Sequence, residues 1–144
     1  MREALVCHTH RAYLASAVML GVASEAALLD LASATASWLG HFGTKLSEAL
    51  KNGRTPIGPL FDLFRRAIEP HKPLLPDELR DGLTLTMDAV ADAIRLTRND
   101  SGHPTGKALD REDQYIALQM SGRYFVKLAT LTHFLKDPKS PRPT

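Results

Sequence analysis

An all-α bundle of four or five helices is the fold that this sequence predicts, and three observations predict it. Apolar residues recur at steps of three and four along several stretches, most clearly at Leu79, Leu83, Met87, Val90 and Ile94. Clusters of glycine, proline and other turn residues separate those stretches. No run alternates apolar and polar residues between turn signals, so no strand is expected.

The elements follow in order. From Arg2 to Leu39 there is neither proline nor a turn cluster, and alanine and leucine dominate, which predicts one long helix or two nearly continuous ones. Leu14, Val18, Val22, Glu25, Leu29 and Ala32 trace one face of it, expected to point inward. Glu25 in that stripe is either a carboxylate at its margin, reaching solvent, or a buried one that needs a partner. Gly40 and Gly43 end the helix, and Thr44 is expected to cap a short one through Lys51, closed by Asn52-Gly53. Thr55-Pro56 begins another over residues 57–68, with Leu60, Phe61, Phe64 and Ile68 on one side. Arg65-Arg66 occupy the other side, as a solvated face or as phosphate contacts.

Three prolines between Glu69 and Pro76 make a connector. Asp77 is the expected cap of the next helix, which should run from Pro76 to Thr97 or Arg98. Asp110 is the expected cap of the last, with Tyr115, Leu118, Gly122, Phe125, Leu128, Thr132 and Leu135 inward and a stop at Asp137-Pro138. Residues 1–137 thus form one domain, and 138–144, with no apolar anchor beyond proline, a disordered tail.

A chain of 144 residues can bury about two thirds of its unfolded surface, enough for a core without staples. The single cysteine, Cys7, excludes an internal disulfide and fits a reducing compartment, with the cytoplasm as the default. Charges interrupt the first twenty residues, and no window offers about eighteen apolar residues free of charge, so neither a signal peptide nor a membrane segment is expected. The net charge of +2 permits contact with a polyanion but is spread along the chain. There is no repeat at solenoid periods.

The chemistry concentrates in Arg98-Asn99-Asp100-Ser101-Gly102-His103-Pro104. Arg98 takes the next beat of the stripe Leu79 to Ile94, where an apolar residue is due. The turn-forming residues after it put His103 in a loop that can fold back toward the helix end. A fixed cation and a side chain that titrates near neutrality are thereby brought together. Without further context, an arginine at a helix C-terminus is also what the macrodipole favours, and a histidine in such a loop can simply bond a carbonyl.

Arg98-Asn99, three intervening residues and His103 resemble the signature of the HEPN (higher eukaryotes and prokaryotes nucleotide-binding) superfamily, compact all-helical domains whose motif lies at the junction of the later helices. Asn99 matches the polar position after the arginine. The resemblance covers most of the chain as helix order and about six residues as motif. It implies a metal-independent endoribonuclease without a cofactor, plausible as a toxin or defence component, with RNA as substrate. It further implies an active site formed where the motifs of two subunits of a homodimer meet, products ending in 2′,3′-cyclic phosphate and 5′-hydroxyl, and an antitoxin protein as a possible partner. Arg98 and His103 would be catalytic. Asn99 would orient the histidine or bind phosphate. Asp100 would do the same or cap the turn, and Glu25 would hold Arg98 in place.

Other groupings carry less. Cys7, His8 and His10 are close in sequence but lack further ligands for a tetrahedral metal site. His41, His71 and His133 are isolated, no glycine loop follows a strand, and Ser101 lies in no nucleophile elbow. Tyr13, Trp38, Tyr115, Tyr124 and Phe125 are too sparse for a base-stacking array, so RNA is expected to be held through its backbone. Two other readings stand beside the ribonuclease: a non-catalytic HEPN-like module that binds nucleotide or protein, and a dimerisation scaffold in which the alanine-rich first helix packs on its copy.

Overall fold

The computed structural model describes residues 1–102 and 111–144, with the side chains of residues 93 and 95–102 outside that description. The described chain is an all-α bundle. Helix α1 (Arg2–Thr9) turns at Arg11, whose φ is +60°, into the long α2 (Tyr13–Leu39). After a short 3-10 turn, Gly40–Gly43, come α3 (Thr44–Asn52) and α4 (Ile57–Ile68). A second 3-10 turn, Glu69–Leu74, leads to the single-turn α5 (Asp77–Arg80), then α6 (Leu83–Gly102) and α7 (Arg111–Lys136).

Helix α2 is the axis of the core. Leu28, Leu31 and Leu39 pack with Leu46, with Leu60, Phe64 and Ile68 of α4, with the α6 stripe, and with Leu128, Leu131 and Leu135 of α7. The α6 stripe is as the periodicity predicts, since Leu83, Met87, Val90 and Ile94 are all buried. Arg65 lies on the outer side of α4, over the Phe61 ring and 2.9 Å from Asp88 of α6. A smaller cluster of Ala4, Leu20 and Leu118 joins α1, α2 and α7.

The expected inner face of α2 is its outer one. Leu14 and Val22 are 55% and 58% exposed, Leu29 is exposed and Glu25 half-buried, and only Ala32 of that set is buried. The buried face instead carries Ser16, Leu20, Ser24, Leu28, Leu31 and Thr35. Hydroxyls can be buried there because each has an acceptor: Ser24 donates to Leu20 O, Thr35 to Leu31 O, and Ser16 to Ala4 O at 2.7 Å. Gln114 Nε2 of α7 donates in turn to Ser16 Oγ. Ser16→Ala is therefore expected to lower stability by about 1–3 kcal/mol, because it leaves the buried Gln114 amide without its acceptor. Chemical denaturation with an unchanged m-value would register it.

The helix expected from Pro76 to Arg98 is broken and longer. Gly82, at φ +64°, and the extended Asp81 separate α5 from α6, and Lys127 of α7 donates to the carbonyl that Asp81 exposes there. Asp77 does not cap by its side chain; it pairs with Arg80. At the other end α6 continues to Gly102, because asparagine, aspartate and serine each cost a helix only a few tenths of a kcal/mol. Thr44 likewise lies inside α3 and donates to His41 O, while Gly43 precedes the helix. Gly43 is required by approach: a Cβ there would meet Ala36 O at 2.6 Å. Tyr115, expected inward, is half-exposed.

Residues 138–144, expected to be disordered, are tied to the bundle. The indole Nε1 of Trp38 donates to Pro141 O at 2.8 Å, and Ser140, buried, donates to Phe134 O. A span of α2 and α3, Tyr13–Asn52, contains a window long and apolar enough to cross a membrane, of which 39% is buried in the bundle.

Candidate functional site

Helix directions decide what can meet. Helices α2 and α7 run side by side in the same sense: Ser16 bonds Gln114 near their starts, and Asp30 pairs with Lys136 further along, at 2.7 Å. Helix α1 folds back on the start of α2 through the Ser16 to Ala4 bond. Helix α6 runs antiparallel to α7, since Asp81 before its start meets Lys127, and Val90 at its middle shares a small cavity with Ser121 and Tyr124. The last turns of α6 therefore lie at the end of the bundle where α1 finishes and where α2 and α7 begin.

Arg98, Asn99 and Asp100 belong to those last turns, so the motif starts on helix and not in a turn. The side chains of these three, and His103 with the proposed cap Asp110, lie outside the described residues. The pairing of Glu25 with Arg98 falls outside them for the same reason.

What the described residues do build at this end is an aromatic and basic cluster drawn from three helices. The His8 ring of α1 is in contact with two tyrosines, 5.4 Å from Tyr13 of α2 and 5.8 Å from Tyr115 of α7 between ring centroids. Its Nε2 lies 3.5 Å from Arg111 O. The Tyr115 hydroxyl accepts from Gln119 Nε2 at 2.7 Å, so that ring is held at both ends while half of its surface stays open. An open groove of about 640 Å³ runs past His8, Arg111, Glu112, Tyr115 and Ile116. A second of about 560 Å³, past Gln119, Met120, Arg123 and Tyr124, lies on the next turns of α7.

Sequence reasoning set His8, Tyr13 and Tyr115 aside and did not weigh Arg111, Gln119 or Arg123, and only part of the signal was there to find. Tyr115 and Gln119 at i and i+4, flanked by arginines at i−4 and i+8, are visible as a regular spacing along one helix. The meeting of His8 with Tyr115 spans 107 positions and has no local signature.

At the opposite end of the bundle, His71 is not isolated either. It stands edge-on to Trp38 at 6.4 Å and 5.1 Å from Phe42, beside which His41 stacks. His133 is exposed. Among the described residues, no group of three or more His, Cys, Asp or Glu side chains is placed to hold a metal ion. Compared with known proteins, the chain matches no family model, no curated protein and no solved structure.

Proposed function

We propose that this chain is a metal-independent endoribonuclease of HEPN type, acting as a homodimer in the cytoplasm as a toxin or defence component. The observation that carries the reading is the run from Arg98-Asn99 to His103 at the C-terminal end of an amphipathic helix in an all-α bundle. The 2′-hydroxyl of RNA attacks the adjacent phosphorus and the bond to the 5′ oxygen breaks. His103 serves the proton transfers, one proton leaving the 2′-hydroxyl and one reaching the departing 5′ oxygen. Arg98 stabilises charge on the phosphoryl oxygens with a bidentate geometry that lysine lacks. Asn99 assists by orienting the histidine or holding phosphate. A twofold axis beside the motif doubles the local positive charge and gives the cleft two copies of each group.

The test is cleavage of a mixed RNA pool by the purified chain in EDTA, with fragment ends determined chemically. Fragments ending in 2′,3′-cyclic phosphate and 5′-hydroxyl are expected. A folded, dimeric chain that leaves the pool intact sinks the reading.

One observation favours a second reading, the helical dimerisation scaffold without a catalytic role. One face of α2 exposes the apolar side chains of Leu14, Val22 and Leu29. Dimerisation with no RNA cleavage is the result that this reading expects.

A further inference from the structure

We infer that a strip winding along α7, built from Arg111, Tyr115, Gln119 and Arg123, is a track for single-stranded RNA, with a base stacked on Tyr115 and phosphates on the two arginines. The inference rests on the ribonuclease reading for its substrate, and on geometry for its place.

These four residues recur every fourth position, so successive members lie about one turn apart and about 40° further round the helix; they form a strip that winds along α7, and twelve residues at 1.5 Å each separate the arginines by about 18 Å along the axis. The two grooves border successive stretches of this strip, the first at Arg111 and Tyr115 and the second at Gln119 and Arg123. Between the cations stands Tyr115. An exposed tyrosine normally rotates freely and loses that freedom on binding, but here Gln119 fixes the hydroxyl and His8 flanks the ring at an interplanar angle of 31°. With half its surface open, the ring is a preorganised stacking platform, which every base can use because every base has a π-face.

His8 is a positioning residue in this account, braced by Tyr13 behind it and by the Arg111 carbonyl. Glu112 and Ile116 complete the lining of the first groove. The track begins at the end of the bundle where α6 finishes, so a strand lying on it leads toward the Arg98 helix end. Single-stranded RNA fits this set better than duplex, since stacking needs a base free of its neighbours.

The test uses the full chain and a short RNA whose 2′-hydroxyls are methylated, so that it binds without being cut, with affinity read by fluorescence anisotropy across a salt series. Tyr115→Ala is expected to weaken binding roughly 5- to 150-fold, while Tyr115→Phe, which keeps the ring, restores most of it. Arg111→Ala with Arg123→Ala is expected to flatten the salt dependence by about 1.4 in the log–log slope, two phosphate contacts on a single strand. Circular dichroism of each variant shows whether it is folded.

Wild-type affinity in folded Tyr115→Ala, or an unchanged salt slope in the double variant, overturns the track. If the methylated RNA binds through these residues but unmodified RNA is never cut, the track stands and the endoribonuclease reading falls. If RNA is cut at a rate and affinity indifferent to Tyr115 and both arginines, the reading stands and the track falls.

Discussion

Arg98→Ala and His103→Ala are each expected to slow RNA cleavage by about 10²–10⁴-fold at equal helical content, the range that positioned proton transfer and fixed charge stabilisation contribute. Arg98→Lys separates charge from geometry. A lysine keeps the cation but offers a single strongly hydrated ammonium in place of a planar fork with five donors, so it should recover little of the loss. The two alanine variants should not multiply when combined, because groups that serve one transition state fail together. Initial rates on a fluorogenic RNA, each with the dichroism spectrum of the same sample, measure all of this. A lysine variant as fast as wild type would show that Arg98 acts only as a point charge, and an unimpaired His103→Ala would remove the histidine from the mechanism.

Phe64→Ala is expected to cost about 3–5 kcal/mol, a large share of the 5–15 kcal/mol that holds a typical domain. The ring is wholly buried, lies 6.5 Å from the Phe61 ring centroid, and belongs to the cluster that joins α2, α4, α6 and α7. Removing it leaves a cavity in that shared cluster, which closes only if its buried neighbours shift. For a chain of this length the loss corresponds to a fall in melting temperature of about 6–20 °C by calorimetry. A shift under about 2 °C would mean that the cluster repacks around the gap, contrary to the close packing described.

Helices whose two sides differ in chemistry were legible in the sequence, and α4 and α6 are the examples. Leu60, Phe61, Phe64 and Ile68 are all buried opposite Arg65 and Arg66, and the stripe from Leu79 to Ile94 is buried throughout its length. Helix α2 was not legible in this way. Only Glu25 and Asp30 carry charge over its 27 residues, so hydrophobic spacing marks more than one face and cannot choose between them. The buried face interleaves Leu20, Leu28 and Leu31 with Ser16, Ser24 and Thr35, whose hydroxyls bond to carbonyls, and an apolar count passes over those three in favour of Leu14 and Val22, which lie outside.

The candidate site divides along similar lines. The Arg98 motif is local, six residues read from one segment, and Arg111 to Arg123 is equally a spacing within a single helix. His8 against Tyr115 is a product of tertiary folding, as is the tie between Trp38 and Pro141, and neither has a counterpart in local spacing. Gly82 illustrates a signal outvoted: its glycine marks a break, yet the continuous stripe on either side reads as one helix, because the break preserves the phase of the buried face.

Trp38 gives the molecule a built-in optical reporter. It is the sole tryptophan of the chain, so indole emission comes from one place, sealed from water and held by a single acceptor in the last four residues. Truncation before Pro141 should therefore alter the emission of a chain whose helical dichroism is unchanged. Ligands bound along the far end of α7 should leave it silent, which makes the fluorophore a clean internal standard for any titration performed there.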